Sequence, residues 1–407
     1  MSRVAITGLG VVCALGKNVS EFRERLFAGR SAILPITGVD TSSLRFRQGA
    51  EVQDFNPSEY FDNTQRELLD RFAQFSVLAA RQAMADAGIT ITPDLAPRTA
   101  VIVGASMGGK STEDGGYQEL YLHRRTRLHP LIIPRSMANA GASNICMEFG
   151  ITGPAMAIST ACSSANHAMG LAFAMVRSGQ VDVAITGGSE APFSYGMLKA
   201  WEAMRVVSPD TCRPFSSDRS GLILGEGGAI LVLEPLERAR ERGANIYGEI
   251  IGFGMSSDAQ HITRPCLAGP AQAMKNAMAD AAIEPAAVGY INAHGTGTET
   301  NDRVETQAIR AVFARHADRV LVSSTKSMHG HALGAAGAIE GVATVLALRE
   351  RMIPPTANFT SPDPECNLNL VVNKGQPAEV ECALSNSFAF GGLNAVLAFR
   401  APAALGL

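Results

Sequence analysis

Residues 3–10 read Arg-Val-Ala-Ile-Thr-Gly-Leu-Gly, and residues 247–254 read Tyr-Gly-Glu-Ile-Ile-Gly-Phe-Gly. Each stretch is an apolar run that ends in a G-x-G pair, which predicts a buried strand followed by a glycine turn. The similarity between the two stretches could arise by chance, because buried strands share their composition. Duplication of an α/β unit would also produce such a similarity. The charged, helix-like residues 234–243 precede the second copy, so we predict one half over residues 1–246 and a second over residues 247–407.

Short apolar runs alternate with longer stretches of helical periodicity along the chain. The predicted strands are residues 4–7, 99–103, 181–186, 229–233, 288–293 and 320–323, and the predicted helices are residues 64–88, 163–179, 270–282 and 302–315. Short strands separated by helices predict an α/β fold with largely parallel strands. The length of 407 residues fits two domains or one large duplicated domain.

Composition and charge argue against several classes of protein. A formal net charge of -3 offers no basic face for nucleic acid as the main partner. No run approaches the roughly 20 apolar residues of a membrane span, and glycines interrupt the apolar residues 4–15 that superficially resemble a secretion signal. The cysteines are scattered without a C-x-x-C pair, which argues against a disulfide or zinc framework and predicts a cytoplasmic location. They are Cys13, Cys146, Cys162, Cys212, Cys266, Cys366 and Cys382.

The first candidate for chemistry is Cys162, in residues 160–164 (Thr-Ala-Cys-Ser-Ser) at the start of the helix predicted at 163–179. Small neighbours let a substrate approach the sulfur, and a helix start favours a thiolate through its free N–H groups and its dipole. A buried structural cysteine is the other interpretation, and the local setting alone does not decide between them.

A second candidate is His294, which follows the strand predicted at 288–293 and opens residues 294–298, His-Gly-Thr-Gly-Thr. Loops at the ends of buried strands often carry catalytic groups. A satisfied core histidine is the alternative, but the open, hydroxyl-rich loop argues against it.

A third candidate is His331, which closes residues 324–331, Ser-Thr-Lys-Ser-Met-His-Gly-His. Lys326 and Glu340 flank it, which indicates a buried ionic network that fixes protonation states, although purely structural roles stay open for both. The pair His329 and His331 has no further ligand cluster at zinc spacing, so we predict no catalytic metal.

Residues 385–394, Ser-Asn-Ser-Phe-Ala-Phe-Gly-Gly-Leu-Asn, place two glycines beside two aromatic rings. Such a segment can act as a mobile gate with a bulky tip, or it can be a simple tight turn before the last strand. The sequence leaves both interpretations open.

Residues 104–111 follow a predicted strand and match the phosphate-binding P-loop pattern letter for letter. The next residues, 112–116 (Thr-Glu-Asp-Gly-Gly), are poor material for the helix that this motif requires. Cys13 stands where the dinucleotide pattern that starts at Gly8 needs its third glycine. Nucleotide binding is therefore disfavoured at both places.

Taken together, the four segments at 160–164, 294–298, 324–331 and 388–392 resemble the β-ketoacyl-[acyl-carrier-protein] synthase family. The resemblance is to its elongating members, including the nodulation-type ketosynthases, and runs from Val4 to about Phe399. It implies a thiolase-like, five-layer α-β-α-β-α fold built from two duplicated halves. It also implies a dimer, either a homodimer or a heterodimer with a chain-length subunit.

The resemblance assigns roles to the candidates. Cys162 would carry the acyl group, and His294 and His331 would stabilise the enolate that forms when a malonyl group loses carbon dioxide, with Lys326 and Glu340 as tuners. The backbone N–H groups of Cys162 and Phe390 would form an oxyanion hole, and Phe390 would also be the gate. No cofactor is expected, because an acyl carrier protein brings the substrates on its phosphopantetheine. The Cys-His-His set is similar to the elongating enzymes, whereas initiating synthases use Cys, His and Asn.

Other positions are carried over from the family in the same way. The expected contacts of the pantetheine arm are Thr296 and Thr298, and those of the acyl chain are Met107 and Trp201. Phe388 is expected to bind substrate as well. A structural monovalent cation is expected near Asn292, Glu340, Ser385 and Asn386.

Three places depart from the family pattern. Leu393 replaces the threonine that usually follows the two glycines, and Ala389 replaces a frequent glycine, which should stiffen or reshape the gate. Trp201 stands where phenylalanine is usual in fatty-acid enzymes, so the acyl pocket should be shorter or differently shaped. Residues 65–68, Gln-Arg-Glu-Leu, hold a single basic residue where relatives tend to have more, which suggests a specialised carrier.

Overall fold

The computed structural model describes residues 2–402, so Met1 and residues 403–407, at the ends of the two predicted halves, lie outside the described residues. The strands are β1 (Val4–Cys13), β2 (Leu34–Pro35), β3 (Gln48–Gly49), β4 (Thr99–Gly104), β5 (Ala155–Ile158), β6 (Val183–Glu190), β7 (Gly227–Pro235), β8 (Gly248–Ser257), β9 (Val288–Asn292), β10 (Leu321–Ser323), β11 (Met352–Ile353), β12 (Gln376–Pro377), β13 (Cys382–Ala389) and β14 (Leu393–Arg400). The α-helices are α1 (Val19–Phe27), α2 (Asn63–Leu68), α3 (Arg71–Ala87), α4 (Lys110–Tyr121), α5 (Ile132–Ser136), α6 (Ala140–Phe149), α7 (Ser164–Arg177), α8 (Tyr195–Met204), α9 (Leu236–Glu241), α10 (Ala268–Asp280), α11 (Glu299–Phe313), α12 (Lys326–His329) and α13 (Ala336–Glu350).

The main sheet has ten strands in the order β10-β9-β13-β14-β8-β1-β7-β6-β4-β5. The five strands on one side of the central β8–β1 contact repeat the pattern of the five on the other side. In each set, the three outermost strands are parallel to one another, and the strands nearer the centre pair antiparallel. The two sides join where Val4 to Ile6 pair with Gly248 to Ile250. The fold therefore consists of two duplicated halves, as predicted.

The prediction of largely parallel strands is wrong, because five of the nine neighbouring pairs in this sheet are antiparallel. Alternation of strands and helices along the chain does not reveal the hairpin that joins β13 to β14. Nor does it show that β1 and β8, the first strands of the halves, meet antiparallel at the centre.

The repeated glycine pairs lie inside strands rather than in turns, so that part of the prediction is also wrong. In β1, a Cβ atom on Gly10 would lie 1.9 Å from the carbonyl oxygen of Ala79 in α3. In β8, a Cβ atom on Gly254 would lie 2.2 Å from the carbonyl oxygen of Ala273 in α10. The glycines are needed because a helix packs directly on the backbone of each strand. The same contact in both halves is the physical origin of the similarity between the two stretches.

The helices α7 and α13 lie between the two halves of the sheet, with α3 and α10 on the outer faces. This gives the five-layer α-β-α-β-α arrangement. Every residue of α13 from Ala336 to Leu348 is buried, because both faces of this helix contact protein. None of the helices within residues 2–402 is long and apolar enough to cross a membrane.

Most predicted elements lie within a few residues of the observed ones, but the helix predicted at 64–88 is two helices, α2 and α3. Asp70 breaks it, because its carboxylate accepts a hydrogen bond from the N–H of Phe72 at the start of α3. The same carboxylate accepts the N–H of Thr112 at 2.9 Å in the first turn of α4. This side chain therefore orders the starts of two helices.

Candidate active site

Cys162 lies in a tight turn between β5 and α7. Ala161 has a φ of +50°, which is unusual for a residue with a side chain. The turn is held by Ser164, whose hydroxyl donates to the carbonyl oxygen of Ala161 at 2.6 Å and accepts the N–H of Thr160 at 2.9 Å. The small side chains seen in the sequence thus serve to build the turn and to present the sulfur just ahead of a helix.

Burial opposes ionisation of this sulfur. Cys162 is only 7% exposed, and burial raises the pKa of its thiol to about 11, although the charge of Lys326 acts in the opposite direction. The prediction that the helix start would favour a thiolate is therefore outweighed by desolvation. The backbone N–H groups of Cys162 and Phe390 act in the same direction as Lys326 and lower the pKa of this thiol.

His294 and His331 lie beside the sulfur. One ring nitrogen of each histidine and the sulfur of Cys162 lie within 4.8 Å of one another. The two rings are nearly perpendicular, with centroids 5.4 Å apart. Both are buried, and desolvation together with the charge of Lys326 lowers both pKa values well below the ordinary value of histidine. Both rings are therefore neutral near pH 7.

The tautomer of His331 is fixed by the backbone. The N–H of Leu333 donates to Nδ1 of His331 at 3.3 Å, so the proton of the neutral ring belongs on Nε2. That Nε2 atom is buried and has no hydrogen-bond partner in the described chain. It is thus available to donate to a bound substrate. For His294, neither ring nitrogen has a hydrogen-bond partner within residues 2–402, so its ring is not committed to one tautomer.

Lys326 and Glu340 form a fully buried ion pair behind the histidines. Nζ of Lys326 also donates to the carbonyl oxygen of His294 at 2.6 Å. Lys326 therefore acts on both rings through its charge and on His294 through the backbone, rather than by contacting a ring nitrogen. Burial raises the pKa of Glu340, while its contact with Lys326 lowers it.

Glu305, on α11, was not among the residues singled out from the sequence. Its carboxylate accepts the backbone N–H groups of His294 at 2.8 Å and of Gly295 at 2.7 Å, which holds the loop in place. Asp302 acts similarly one turn earlier, accepting the N–H of Gly297 at 3.2 Å. Both acids are buried on the same stripe of α11. Acidic residues at helical spacing among the apolar positions of this helix were the signal that could have found them.

A cavity leads from the surface to the sulfur of Cys162. Its lining includes most of the predicted site residues, namely Cys162, Trp201, His294, Thr296, Thr298, His331, Phe388 and Phe390. The hydroxyl oxygens of Thr296 and Thr298 lie 2.9 Å apart. Met107 is not in this lining. It packs behind the cavity in an apolar cluster with Trp201 and Phe390.

The segment at 390–392 is the three-residue turn of the hairpin between β13 and β14, where Ala389 pairs with Leu393. Phe390 points into the apolar cluster and stacks on Trp201, with ring centroids 6.4 Å apart. Gly391 and Gly392 have φ of +83° and +68°, a left-handed conformation that favours glycine. The N–H of Gly391 donates to the carbonyl oxygen of Ile262 at 2.7 Å, so the turn is also tied to residues 261–265, which line the cavity.

All four residues predicted around a monovalent cation have a buried oxygen without a hydrogen-bond partner in the described chain. They are Oδ1 of Asn292, Oε2 of Glu340, Oγ of Ser385 and Oδ1 of Asn386. Asn292 and Ser385 are register partners on adjacent strands, and the amide of Asn292 donates to the carbonyl oxygen of Glu340 at 3.2 Å. Oxygens alone suit a hard cation. Asn386 follows Ser385 in the strand, so its side chain lies on the other face, where it donates to Glu305.

In the segment that matches the P-loop pattern, the groups that would bind a phosphate already interact with carboxylates. Glu190 accepts the N–H groups of Ser106 and Met107, Asp70 accepts that of Thr112, and Lys110 pairs with Glu113. The expectation that residues 112–116 would not form a helix is wrong, since they lie within α4. The argument against phosphate binding at this place rests instead on these carboxylates.

Comparison with known proteins agrees with this geometry. Residues 1–239 match the family model described as Beta-ketoacyl synthase, N-terminal domain, and residues 247–360 match the one described as Beta-ketoacyl synthase, C-terminal domain. The chain belongs to the β-ketoacyl synthase family. It is an acyltransferase of the condensing type, acting in fatty-acid- or polyketide-type condensation, as the resemblance implied.

Several relatives and solved structures match this chain over nearly its full length. The chain is 46% identical to Nodulation protein E of Rhizobium sp. (strain N33) over 98% of its own length and 99% of the relative. It is 39% identical to 3-oxoacyl-[acyl-carrier-protein] synthase 2 of Staphylococcus aureus (strain COL), with 98% of each chain covered. Among solved structures, the ishigamide ketosynthase/chain length factor superposes with a TM-score of 0.94 at 37% identity, covering 98% of this chain and 99% of that one.

Proposed function

We propose that Cys162, His294 and His331 carry out a decarboxylative condensation between an acyl chain held on Cys162 and a malonyl group. The product is a 3-oxoacyl group two carbons longer. The observation that supports this assignment best is that one cavity brings together a thiol, two backbone N–H groups that lower its pKa, and two neutral histidines.

In the first step, the sulfur of Cys162 attacks the thioester carbonyl of an acyl-carrier. Because burial keeps the thiol protonated, a base must accept its proton, and the uncommitted ring of His294 is the available acceptor. The N–H groups of Cys162 and Phe390 stabilise the negative oxygen that forms. The carrier thiolate then leaves and takes the proton from His294, so the ring is neutral again.

In the second step, a malonyl-carrier loses carbon dioxide and leaves an enolate. The N–H at Nε2 of His331 donates to the enolate oxygen, and His294 donates from the neighbouring position. A neutral histidine suits this role, because its N–H does not transfer its proton completely to the enolate. The enolate carbon attacks the acyl carbonyl, the bond to Cys162 breaks, and the released thiolate is protonated by solvent.

An acyl carrier protein brings both substrates, and no cofactor of the enzyme's own takes part in these steps. The threonines Thr296 and Thr298 line the cavity and suit the amide groups of a pantetheine arm. For the acidic carrier itself, the exposed arginines at Arg124, Arg125 and Arg127 offer more positive charge than residues 65–68, which hold a single basic residue. Charge complementarity of this kind guides docking and speeds association.

The enzyme acts as a dimer in the cytoplasm. Strand β5 is one of the two edge strands of the main sheet. Met156 on this strand is 38% exposed, and Met147 on the neighbouring helix α6 is 68% exposed. An unpaired, apolar edge strand is a place where a second chain adds its own strand. If the added strand comes from a second copy of this chain, the result is a homodimer. A chain-length subunit is the alternative partner, in keeping with the name of the ishigamide structure. All seven cysteines are free thiols, which suits a reducing compartment.

Mass spectrometry of Cys162 after incubation with acyl-carriers of graded chain length tests the proposal. One acyl group per Cys162, followed by formation of 3-oxoacyl-carrier on addition of malonyl-carrier, is the expected result. A chain that is never acylated at Cys162 by any carrier would instead be a catalytically silent partner. The same series measures which chain lengths the pocket behind Trp201 accepts.

A further inference from the structure

Glu190, the last residue of β6, is a fully buried carboxylate that none of the steps above uses. It accepts hydrogen bonds from the N–H of Ser106 at 2.8 Å, the hydroxyl of Ser106 at 2.5 Å, the N–H of Met107 at 3.1 Å and the N–H of Gly334 at 3.1 Å. No basic side chain within residues 2–402 forms an ion pair with it. Four donors thus replace the water that a buried charge would otherwise need.

The four donors come from two segments that serve different parts of the site. Met107 belongs to the apolar cluster that contains Trp201 and the gate residue Phe390. Gly334 lies three residues after His331 and directly follows Leu333, whose N–H fixes the tautomer of that ring. One carboxylate therefore joins the apolar cluster behind the cavity to the segment that holds His331.

The contact leaves little room for independent movement. A Cβ atom on Gly334 would lie 2.4 Å from the backbone nitrogen of Ser106 and 2.6 Å from the carboxylate of Glu190. A shift of Ser106 and Met107 must therefore either move Gly334 or break hydrogen bonds to a buried charge. Packed interiors transmit such shifts because they have no free volume to absorb them.

We propose that Glu190 is a positioning residue that transmits the filling of the acyl pocket to His331. An acyl chain on Cys162 displaces the side chains of Phe390 and Met107, and the carboxylate carries that displacement to Gly334 and on to His331. Decarboxylation of malonyl-carrier is then faster on the acylated enzyme than on the free enzyme, which prevents waste of malonyl groups. The inference rests on the function proposed above and concerns the same site.

Glu190→Gln tests the link. One oxygen of Glu190 accepts three of the bonds and the other accepts the N–H of Met107, so an amide must place its NH₂ group against a backbone N–H. We expect the variant to be acylated at Cys162 by short acyl-carriers. The ratio of malonyl-carrier decarboxylation by acylated and by free enzyme should fall at least about tenfold, as expected from losing a charge-assisted hydrogen bond. Ser106→Ala, which removes one donor, should lower the ratio less and covers the case in which Glu190→Gln does not fold.

Glu226→Gln is the matched control. Glu226 is also fully buried, but its carboxylate pairs with Arg71 and contacts neither segment. We expect it to lower thermal stability without changing the decarboxylation ratio. An unchanged ratio in Glu190→Gln, or an equal loss in the control, overturns the inference, as does a wild-type enzyme whose two rates are the same. Failure of the proposed function would look different, because Cys162 would then not be acylated at all.

Discussion

The backbone N–H of Leu333 donates to Nδ1 of His331 at 3.3 Å, which leaves the Nε2 proton of that ring directed toward the substrate cavity. A peptide group cannot change its protonation state, so this donor keeps the same tautomer through every turnover. The two histidines of the site are consequently not equivalent. His331 is a fixed donor, whereas His294 can both accept and donate.

Replacing His331 with alanine should lower the condensation rate by about 10²–10³, the usual effect of losing one preorganised donor to a developing oxyanion. Acylation of Cys162 should persist, because His331 is not the proton acceptor in that step. His294→Ala should slow both steps. Single-turnover mass spectrometry of Cys162, followed by product formation from malonyl-carrier, separates the two. His329→Gln, a buried histidine outside the cavity lining, serves as the control, and equal losses in all three variants would contradict the division of roles.

The reactivity of Cys162 should follow the pKa of a buried thiol. Since burial raises that pKa to about 11, alkylation of the free enzyme by iodoacetamide should keep accelerating up to about pH 10 without a plateau. A plateau near neutral pH would mean that the thiolate forms unaided, and His294 would then not be required as a base. A denatured sample, with an ordinary cysteine pKa of roughly 8.5, provides the reference profile.

Lys326 should set the low-pH limit of condensation. Desolvation is the largest cause of the low pKa values of His294 and His331, and the charge of Lys326 is the second. The rings are therefore neutral at any pH above these lowered pKa values. The wild-type rate should therefore not decline between pH 8 and pH 6 through protonation of these rings. In Lys326→Met the histidine pKa values rise, and the decline at low pH should move upward by about one pH unit, equivalent to about 1.4 kcal/mol.

The matched variant for that experiment is Glu340→Gln, which keeps Lys326 charged and removes only its partner. The uncompensated cation should lower the histidine pKa values further, so the pH profile should not move upward. The same upward movement in both variants would indicate general loosening of the buried pair instead of a charge effect. Thermal unfolding of each protein establishes how much stability was lost.

Trp201 should report on the gate directly, because it is the only tryptophan in the chain and stacks on Phe390. When an acyl chain enters the pocket, the Phe390 ring must move and the stacking contact is lost. The intrinsic fluorescence should change on addition of acyl-pantetheine and saturate at one acyl group per Cys162. Cys162→Ala should show no acylation-dependent change, and Phe390→Ala should already have the altered emission. An unchanged spectrum during complete acylation would show that Phe390 does not move.

A monovalent cation should stabilise the protein through the unpartnered oxygens of Asn292, Glu340 and Ser385. Replacing sodium and potassium with tetramethylammonium at constant ionic strength should lower the Tm, by roughly 1 °C for each 1 kcal/mol of binding energy lost in a chain of this length. Ser385→Ala should reduce the dependence on the cation. Identical melting curves in all salts would show that no such ion contributes.

The residues that react were easier to predict from the sequence than the residues that hold them in place. Cys162, His294 and His331 could be recognised because each lies in a short motif whose residues are neighbours in the chain. Glu190 could not, because its partners lie 84 and 144 residues away. The pKa of Cys162 was misjudged for the same reason, since the helix start is local but the burial that outweighs it comes from other parts of the fold.

The fold shows a similar division. The duplication was visible because each half keeps a glycine pair at the same place in its first strand. The role of Gly10 was misread as a turn, because the helix that approaches its backbone begins some 60 residues later in the chain. Antiparallel pairing was missed because strand direction depends on which strands meet, and no pattern within a single strand records that. The consequences of Leu393 and Ala389 for gate opening stay predictions.

The central helix α13 has consequences for how this architecture arose and how it can be dissected. Because α13 is buried on all sides, separating the two halves would expose apolar side chains of this helix and of the surface that it covers. We therefore expect neither half of the chain to be soluble by itself. Splitting the gene near residue 246 should give fragments that aggregate when made singly and assemble when made together. By the same reasoning, an ancestor that encoded only one half must have paired with its own copy before the two copies were fused.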